Sequence, residues 1–238
     1  MKQELDLKLV QVKNSDEMRA LIPAMERFAG AFIDAGESCL LEEVVSRRND
    51  IHGWIRYCEA GALGENLPAG YVPATQWVTV STVDGVSEVV GKISMRHWLL
   101  THDLAEFLGH IGYAVRPDYR RQGIASWQLR AALMAISHKV QSHQIHVEQK
   151  MFCPSVKELS SFPLQAVPPT ENLAVLLTCN ESNVGSYLTI ENCGGVRDRD
   201  GVVDNKRLKD FGTVKRRYWL EVPVSSPTGE SCASGSTK

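Results

Sequence analysis

Apolar and polar residues change their period along this chain, and the changes predict its elements. Over residues 5–12 apolar side chains alternate with others at period two, which predicts a first strand. Asn14, Ser15, Asp16 and Glu17 then offer a helix cap with acid in the first turn. Met18, Leu21, Ile22, Met25, Phe28 and Ala29 follow at helical spacing, with Pro23 expected to split or kink the helix and Gly36 to end it. A second helical region is expected from about residue 40 to 57, with Val44, Val45, Ile51, Trp54, Ile55 and Cys58 toward a core. Residues 61–70 are rich in Gly, Pro and Asn and read as a loop. Residues 76–83 and 88–97 both read as strands, and Asp84-Gly85 between them predicts a hairpin. A polar connection over 102–107 leads to the apolar run 110–115, a fourth strand. Trp127, Leu129, Leu133, Ile136 and Val140 return to spacings of three and four and predict a helix ending near 138–141. The continuous apolar run 172–179 predicts a fifth strand. Residues 180–182 are expected to cap a short helix that Gly194-Gly195 closes. Residues 196–203 and 214–222 predict two last strands, with Arg197 to Gly201 as a solvated turn.

Composition changes this picture little. At 43% apolar and 23% charged residues the chain is ordinary for a soluble globular protein, long enough for one large domain or two small ones. A net charge of −2 argues against a protein that holds nucleic acid mainly through its phosphates. The charged first ten residues lack the apolar core of a signal peptide, and no stretch is long and apolar enough to span a bilayer. The six cysteines are scattered without a Cys-x-x-Cys pair and read as reduced thiols, so a cytoplasmic location is expected, with no membrane partner. His143 and His146 lack the further ligands a metal site needs, and none is expected. Residues 141–171, with four prolines, read as a surface excursion, and 225–238 as a disordered tail. The rest, within 1–224, is expected to form a single domain.

Chemistry concentrates in residues 109–125, GHIGYAVRPDYRRQGIA. An apolar strand is broken by Pro117 and Asp118, followed by a basic turn with one glycine, and then by a helix start. Free N–H groups and the dipole at a helix N-terminus favour an anion there. Gly123 permits close approach, and Arg120 and Arg121 add charge. The anion that best suits such a cradle is a diphosphate. A P-loop is excluded, because no Gly-Lys-Ser/Thr follows.

Arg120, Gly123 and Ala125, in this context, resemble motif A of the GNAT superfamily of acetyl-CoA-dependent N-acetyltransferases, and Val72-Pro73, Arg96-His97 and Gly109 to Tyr113 resemble within it one bacterial-type branch of uncharacterised predicted acetyltransferases. Asn183 to Ser186, after the fifth strand and before the glycine pair, resembles its motif B. The resemblance implies an α/β (α+β) acyl-CoA N-acyltransferase fold. Its central sheet is mixed, mostly antiparallel, six- to seven-stranded, flanked by helices and splayed between the fourth and fifth strands. Residues 141–171 then become an insertion.

The resemblance also implies a site for acetyl-CoA, with no metal. Backbone amides of Arg120, Arg121, Gln122, Gly123, Ile124 and Ala125 would take the pyrophosphate. Free backbone groups near Tyr113 and Val115 would pair with the pantetheine arm and polarise the thioester carbonyl. Asn183 and Ser186 would touch the arm from the other side of the splay. The expected reaction is acetyl transfer to a primary amine of an unidentified acceptor, with a homodimer open. The alternative is a non-catalytic acyl-CoA-binding module. Base candidates are His110, His97 and Glu106, of which His110 begins the central strand; the other reading of His110 is a histidine hydrogen-bonded at a strand end. Family members commonly carry a tyrosine acid about two helical turns after the motif B asparagine. Ile190 stands there, and Tyr187 on the same helix is either a displaced acid or structural.

Overall fold

The computed structural model describes residues 5–39, 41, 50–83, 85–99, 103–141, 172–203 and 214–223. The expected insertion, apart from Gln141, the tail, His143, His146, Val44 and Val45 lie outside the described residues.

The chain begins with β1 (Asp6–Gln11) and passes through α1 (Asp16–Ala20) and α2 (Ile22–Asp34). Ser15 caps α1 by accepting the Met18 N–H at 3.3 Å. The break at Leu21 lies beside Pro23, which needs no N–H partner in the first turn of α2. α3 (Ile51–Leu63) starts on Asp50, whose carboxylate accepts the Gly53 N–H at 2.6 Å. It runs through Gly61 and ends only at Gly64, where φ is 78°. The loop expected from residue 61 is therefore shorter than its composition implied. Gly61 is buried, so its lack of a side chain serves packing rather than chain reversal.

β2 (Ala74–Val83) and β3 (Val86–Arg96) form the hairpin, and a π-helical turn (Leu104–Leu108) replaces the expected irregular connection. β4 (Ile111–Val115), a 3-10 turn (Pro117–Tyr119) and α4 (Ile124–Gln141) follow. β5 (Asn172–Asn180), α5 (Val184–Asn192), β6 (Val196–Val203) and β7 (Lys215–Pro223) complete the order. Asn183, not the preceding turn, caps α5, and Arg197 to Gly201 belong to β6 around a register shift.

The seven strands make one sheet in the order β1-β2-β3-β4-β5-β7-β6, antiparallel throughout except for β4 with β5. Helices cover both faces of the sheet. Met25, Phe28, Phe32 and Ile55 bury against Val78, Val80 and Val89 on the face of α1–α3. Leu129, Leu133 and Ile136 of α4 bury against Trp77, Ile93, Ile111 and Val175 on the other. Buried Gln128 reaches between strands, accepting from Thr79 Oγ1 (3.0 Å) and donating to the Ala114 carbonyl (3.3 Å). Gly91 leaves it room; a Cβ there would lie 2.4 Å from its Oε1.

Candidate active site

β4 and β5 share a single rung, Ile111 with Leu177, and then part. On its other side β4 is fully paired with β3. The Arg96 N–H meets the His110 carbonyl at 2.7 Å, and the Arg116 N–H meets the Val90 carbonyl at 2.9 Å. Groups alternate along an antiparallel strand, so even-numbered residues of β4 bond to β3. Tyr113 and Val115 therefore turn their N–H and C=O toward the gap that opens beside β5. The Val115 carbonyl is already engaged there by Arg120 Nε, at 3.2 Å.

A cleft of about 550 Å³ occupies this opening. Its lining includes Tyr113, Val115, Arg120, Arg121, Gly123, Ile124, Ala125, Asn183 and Ser186. Of the residues expected to bind the donor, Gln122 alone is not in the lining. Exposed Arg121 (φ 63°) and Gly123 (φ 83°) turn the chain into α4, and buried Ile124 anchors the turn against Val90 and Val115. The first bond drawn into α4 runs from the Trp127 N–H to the Gly123 carbonyl at 3.0 Å. The N–H groups of Gly123 to Ser126 are thus left outside the helical ladder. A Cβ on Gly123 would meet nothing within 4 Å.

Two contacts span the cleft. Tyr113 Oη lies 2.9 Å from Ser186 Oγ and donates to the Ser186 carbonyl at 3.1 Å, tying β4 to the start of α5. Burial pushes the Tyr113 hydroxyl up to about 12, so it stays protonated. Arg120 holds Glu37, which follows α2, through both guanidinium nitrogens at 2.8 and 2.5 Å. The pairing lowers the Glu37 pKa and raises that of Arg120. Neither Glu37 nor Phe32, which also lines the cleft, was visible as a site residue in sequence. Only the tertiary fold brings α2 to the motif.

The proposed proton carriers are placed elsewhere. His110 is fully buried; its Nδ1 accepts the Leu176 N–H at 2.9 Å, and burial lowers its pKa to about 3. His97 is buried against Thr75 Oγ1 at 2.8 Å and is lowered to about 4, again mainly by burial. Both are neutral near pH 7 and neither lines the cleft. His110 thus fits the strand-end reading and not that of a base. Tyr187 is also outside the cleft lining, with the Arg216 guanidinium stacked 4.2 Å from its ring centroid, as a structural residue would be. Ile190 is buried. The Glu106 side chain lies outside the described residues. Asn183 Oδ1 accepts the Ser186 N–H at 3.0 Å, so its first task is to cap α5.

The acetyltransferase (GNAT) family model matches residues 24–150, and the chain belongs to that family. No protein among curated ones matches the sequence significantly. One similar solved structure is the Salmonella typhimurium acetyl transferase that modifies the N-terminal serine of a ribosomal protein. It is 14% identical with a TM-score of 0.49, over 90% of this chain and 94% of that one. Another is the microcin C7 self-immunity acetyltransferase MccE in complex with acetyl-CoA and AMP, 13% identical with a TM-score of 0.46, over 84% and 87%. Among the described residues no helix is long and apolar enough to cross a membrane, and no cluster of three or more His, Cys, Asp or Glu could hold a metal ion.

Proposed function

We propose that the protein transfers an acetyl group from acetyl-CoA to a primary amine. The observation that carries this is the joining, in one cleft, of an unpaired strand edge with an anion-binding turn. The residues present fit the donor. N–H groups of Gly123 to Ser126 and the positive end of α4 suit a pyrophosphate, and the open space at Gly123 admits it. Tyr113 and Val115 offer extended backbone to which an amide-containing arm can add as a short strand would.

Acetyl-CoA supplies an activated thioester. The backbone N–H groups on the gap side of β4 polarise its carbonyl, which is oxyanion-type assistance from groups already fixed in place. The cleft aligns that carbonyl for a neutral amine. A C–N bond forms, the C–S bond breaks, and CoA leaves as the thiolate. The proton lost by the nitrogen passes to solvent or to the thiolate, whose conjugate acid has an ordinary pKa of about 8.5. No side-chain acid is assigned, because Tyr187 and Ile190 are both held away from the cleft. Alignment alone is worth up to about 7–11 kcal/mol in favourable cases, enough to make a dedicated acid dispensable.

That lack of an acid also favours the rival reading, a module that binds acyl-CoA without turnover. Release of free thiol from acetyl-CoA across a panel of amines decides between them. Amine-dependent release is expected. Calorimetric binding of acetyl-CoA with no release for any amine would overturn the enzymatic reading.

A further inference from the structure

A second cavity, about 760 Å³, lies on the α1–α3 face of the sheet. Its floor is a row of short or polar side chains where the same face buries apolar ones further along. Gly112, Ser94 and Gln76 are direct neighbours across β4, β3 and β2, and Arg96 is next to Ser94 in the alternation of β3. The lining stops on β3 at Ser94, and the row continues to its β4 partner Gly112, one residue from Tyr113. Above Gly112 the space is open: an added Cβ would have only Ser94 Oγ, at 3.5 Å, within 4 Å. The cavity is thus one strand away from β4, which borders the donor cleft.

Two polar groups in this floor lack complements. Arg96 is half-buried and its guanidinium donates to the Gly109 carbonyl at 3.0 Å. Among the described residues no carboxylate pairs with it, and burial lowers its pKa. Gln76 Oε1 is buried without a hydrogen-bond partner. A cation out of water needs an anion, and a buried carbonyl oxygen needs a donor. A carboxylate on Arg96 and an N–H on Gln76 would satisfy both at once. Over them stands the aromatic wall of Trp54 and Tyr57 from α3, with Tyr71 at the rim.

We infer that this cavity takes the acceptor, and that the acceptor is a small amine bearing a carboxylate on an aromatic body, of the aromatic α-amino acid class. The assignment rests on the acetyl-transfer reading above. Arg96 forms the charged contact, Gln76 accepts from the amine side of the ligand, and the rings of α3 cover the apolar part. The amine then lies over Gly112, within reach of a thioester held on the gap side of β4. Lys92 also lines the cavity, its ammonium 5.8 Å from the Trp54 ring centroid, and aspartates 50 and 103 offset the two cations, so a net-neutral amino acid suits the lining better than a doubly charged phosphate.

The test is calorimetric titration of the full chain with L-tryptophan, L-tryptophanamide and tryptamine, with CoA present and absent. L-Tryptophan is expected to bind about 10-fold or more tighter than the other two, the worth of one charge-assisted contact. Arg96→Gln should erase that preference and leave tryptamine unchanged. Trp54→Ala should weaken all three alike, which guards against an Arg96 variant that fails to fold. Equal binding of the amide or amine, or no binding of any of the three, overturns the inference. So does an equal loss for all three in Arg96→Gln. Acetyl-CoA is titrated separately. Tryptophan preference without acetyl-CoA binding would sink the donor reading alone, and acetyl-CoA turnover with no preference for the carboxylate would sink the acceptor class alone.

Discussion

The two cavities on either side of β4 are built from different materials. The donor cleft is mostly backbone: an unpaired strand edge, a turn with positive φ at Arg121 and Gly123, and the start of α4. The second cavity is mostly side chains, gathered from β2, β3, α3 and the π-helical turn. Backbone recognition needs a contiguous stretch with a glycine in a fixed place, so it leaves a motif. Side-chain recognition needs only that separate elements meet, so it leaves none. The same contrast implies that the first cavity is the more constrained by its ligand and the second the freer to change specificity.

The strongest way to break the comparison is Gly123→Glu. The new carboxylate would stand in open space at the anion turn and would also suffer the positive φ, at a cost of about 1 kcal/mol. Acetyl-CoA affinity should fall by about 100-fold or more through like-charge repulsion and lost access. Tryptophan binding should be unaffected, because the second cavity shares no residue with the turn. Loss of both by calorimetry, with the melting temperature preserved, would show that the cavities are one site.

Next in size is Gly112→Val, placed where the cavities approach one another. Branched methyls would fill the space beside Ser94 Oγ without meeting backbone. Both ligands should still bind, while kcat drops by roughly 10- to 100-fold, since a displacement of about 1 Å has that scale of effect on alignment. Unchanged kcat would mean the amine does not approach over Gly112.

How much of this was legible follows the same division. The strand order, the hairpin, the Pro23 break and the anion turn all appear in local pattern, because period and Gly/Pro placement report short-range constraints. The extension of α3 through Gly61 escapes a reading by composition, which takes glycine as a loop marker, whereas here the glycine is buried within the helix, where a Cβ would lie 3.8 Å from Leu67. His110 looked like a base because a strand-end histidine is chemically able; only burial and the Leu176 N–H reveal that it is a structural group. Arg96, Ser94 and Gln76 gave one faint signal. With Lys92 they are polar residues at alternate positions of β2 and β3, on a face that helices cover and where Val78, Val80 and Val89 are apolar. The Glu37–Arg120 pair gave none, being separated along the chain and joined only by the docking of α2.

A third contrast is between the donor cleft and the two buried histidines. His97 and His110 are buried at the adjoining ends of β3 and β4, outside the lining of either cavity, with folded pKa values of about 4 and about 3 against an ordinary value of about 6.5. The folded state keeps both neutral, so the unfolded chain takes up protons first as pH falls. Their stabilisation is complete above about pH 6.5 and drains below it, at about 1.4 kcal/mol per pH unit for each histidine, until their folded values are reached. The urea midpoint should therefore fall between pH 6.5 and 5, and His97→Gln should roughly halve that slope. A flat midpoint over this window would refute the burial of both rings. Among the described residues lining the donor cleft there is no histidine, and pairing with Arg120 holds the Glu37 carboxyl below the usual carboxylate range.

The smallest effect expected is from Glu37→Gln, and it sharpens the contrast most. Arg120 is bound to Glu37 at the mouth of the donor cleft, with both side chains about two-fifths exposed. A pair so exposed contributes roughly 0–1 kcal/mol to stability, so its removal should barely shift the melting temperature. A diphosphate entering the turn must share Arg120 with that carboxylate or displace it, and meets its negative charge on the way. Removing the charge should tighten acetyl-CoA binding by about 2- to 5-fold, within the energy scale of such a pair. The gain should shrink as salt screens the approach. Tryptophan affinity should not move, since Glu37 does not border the second cavity. Weaker acetyl-CoA binding in Glu37→Gln would instead mean that the ion pair holds Arg120 in its binding position. The donor cleft would then depend on side-chain preorganisation as much as the acceptor cavity does.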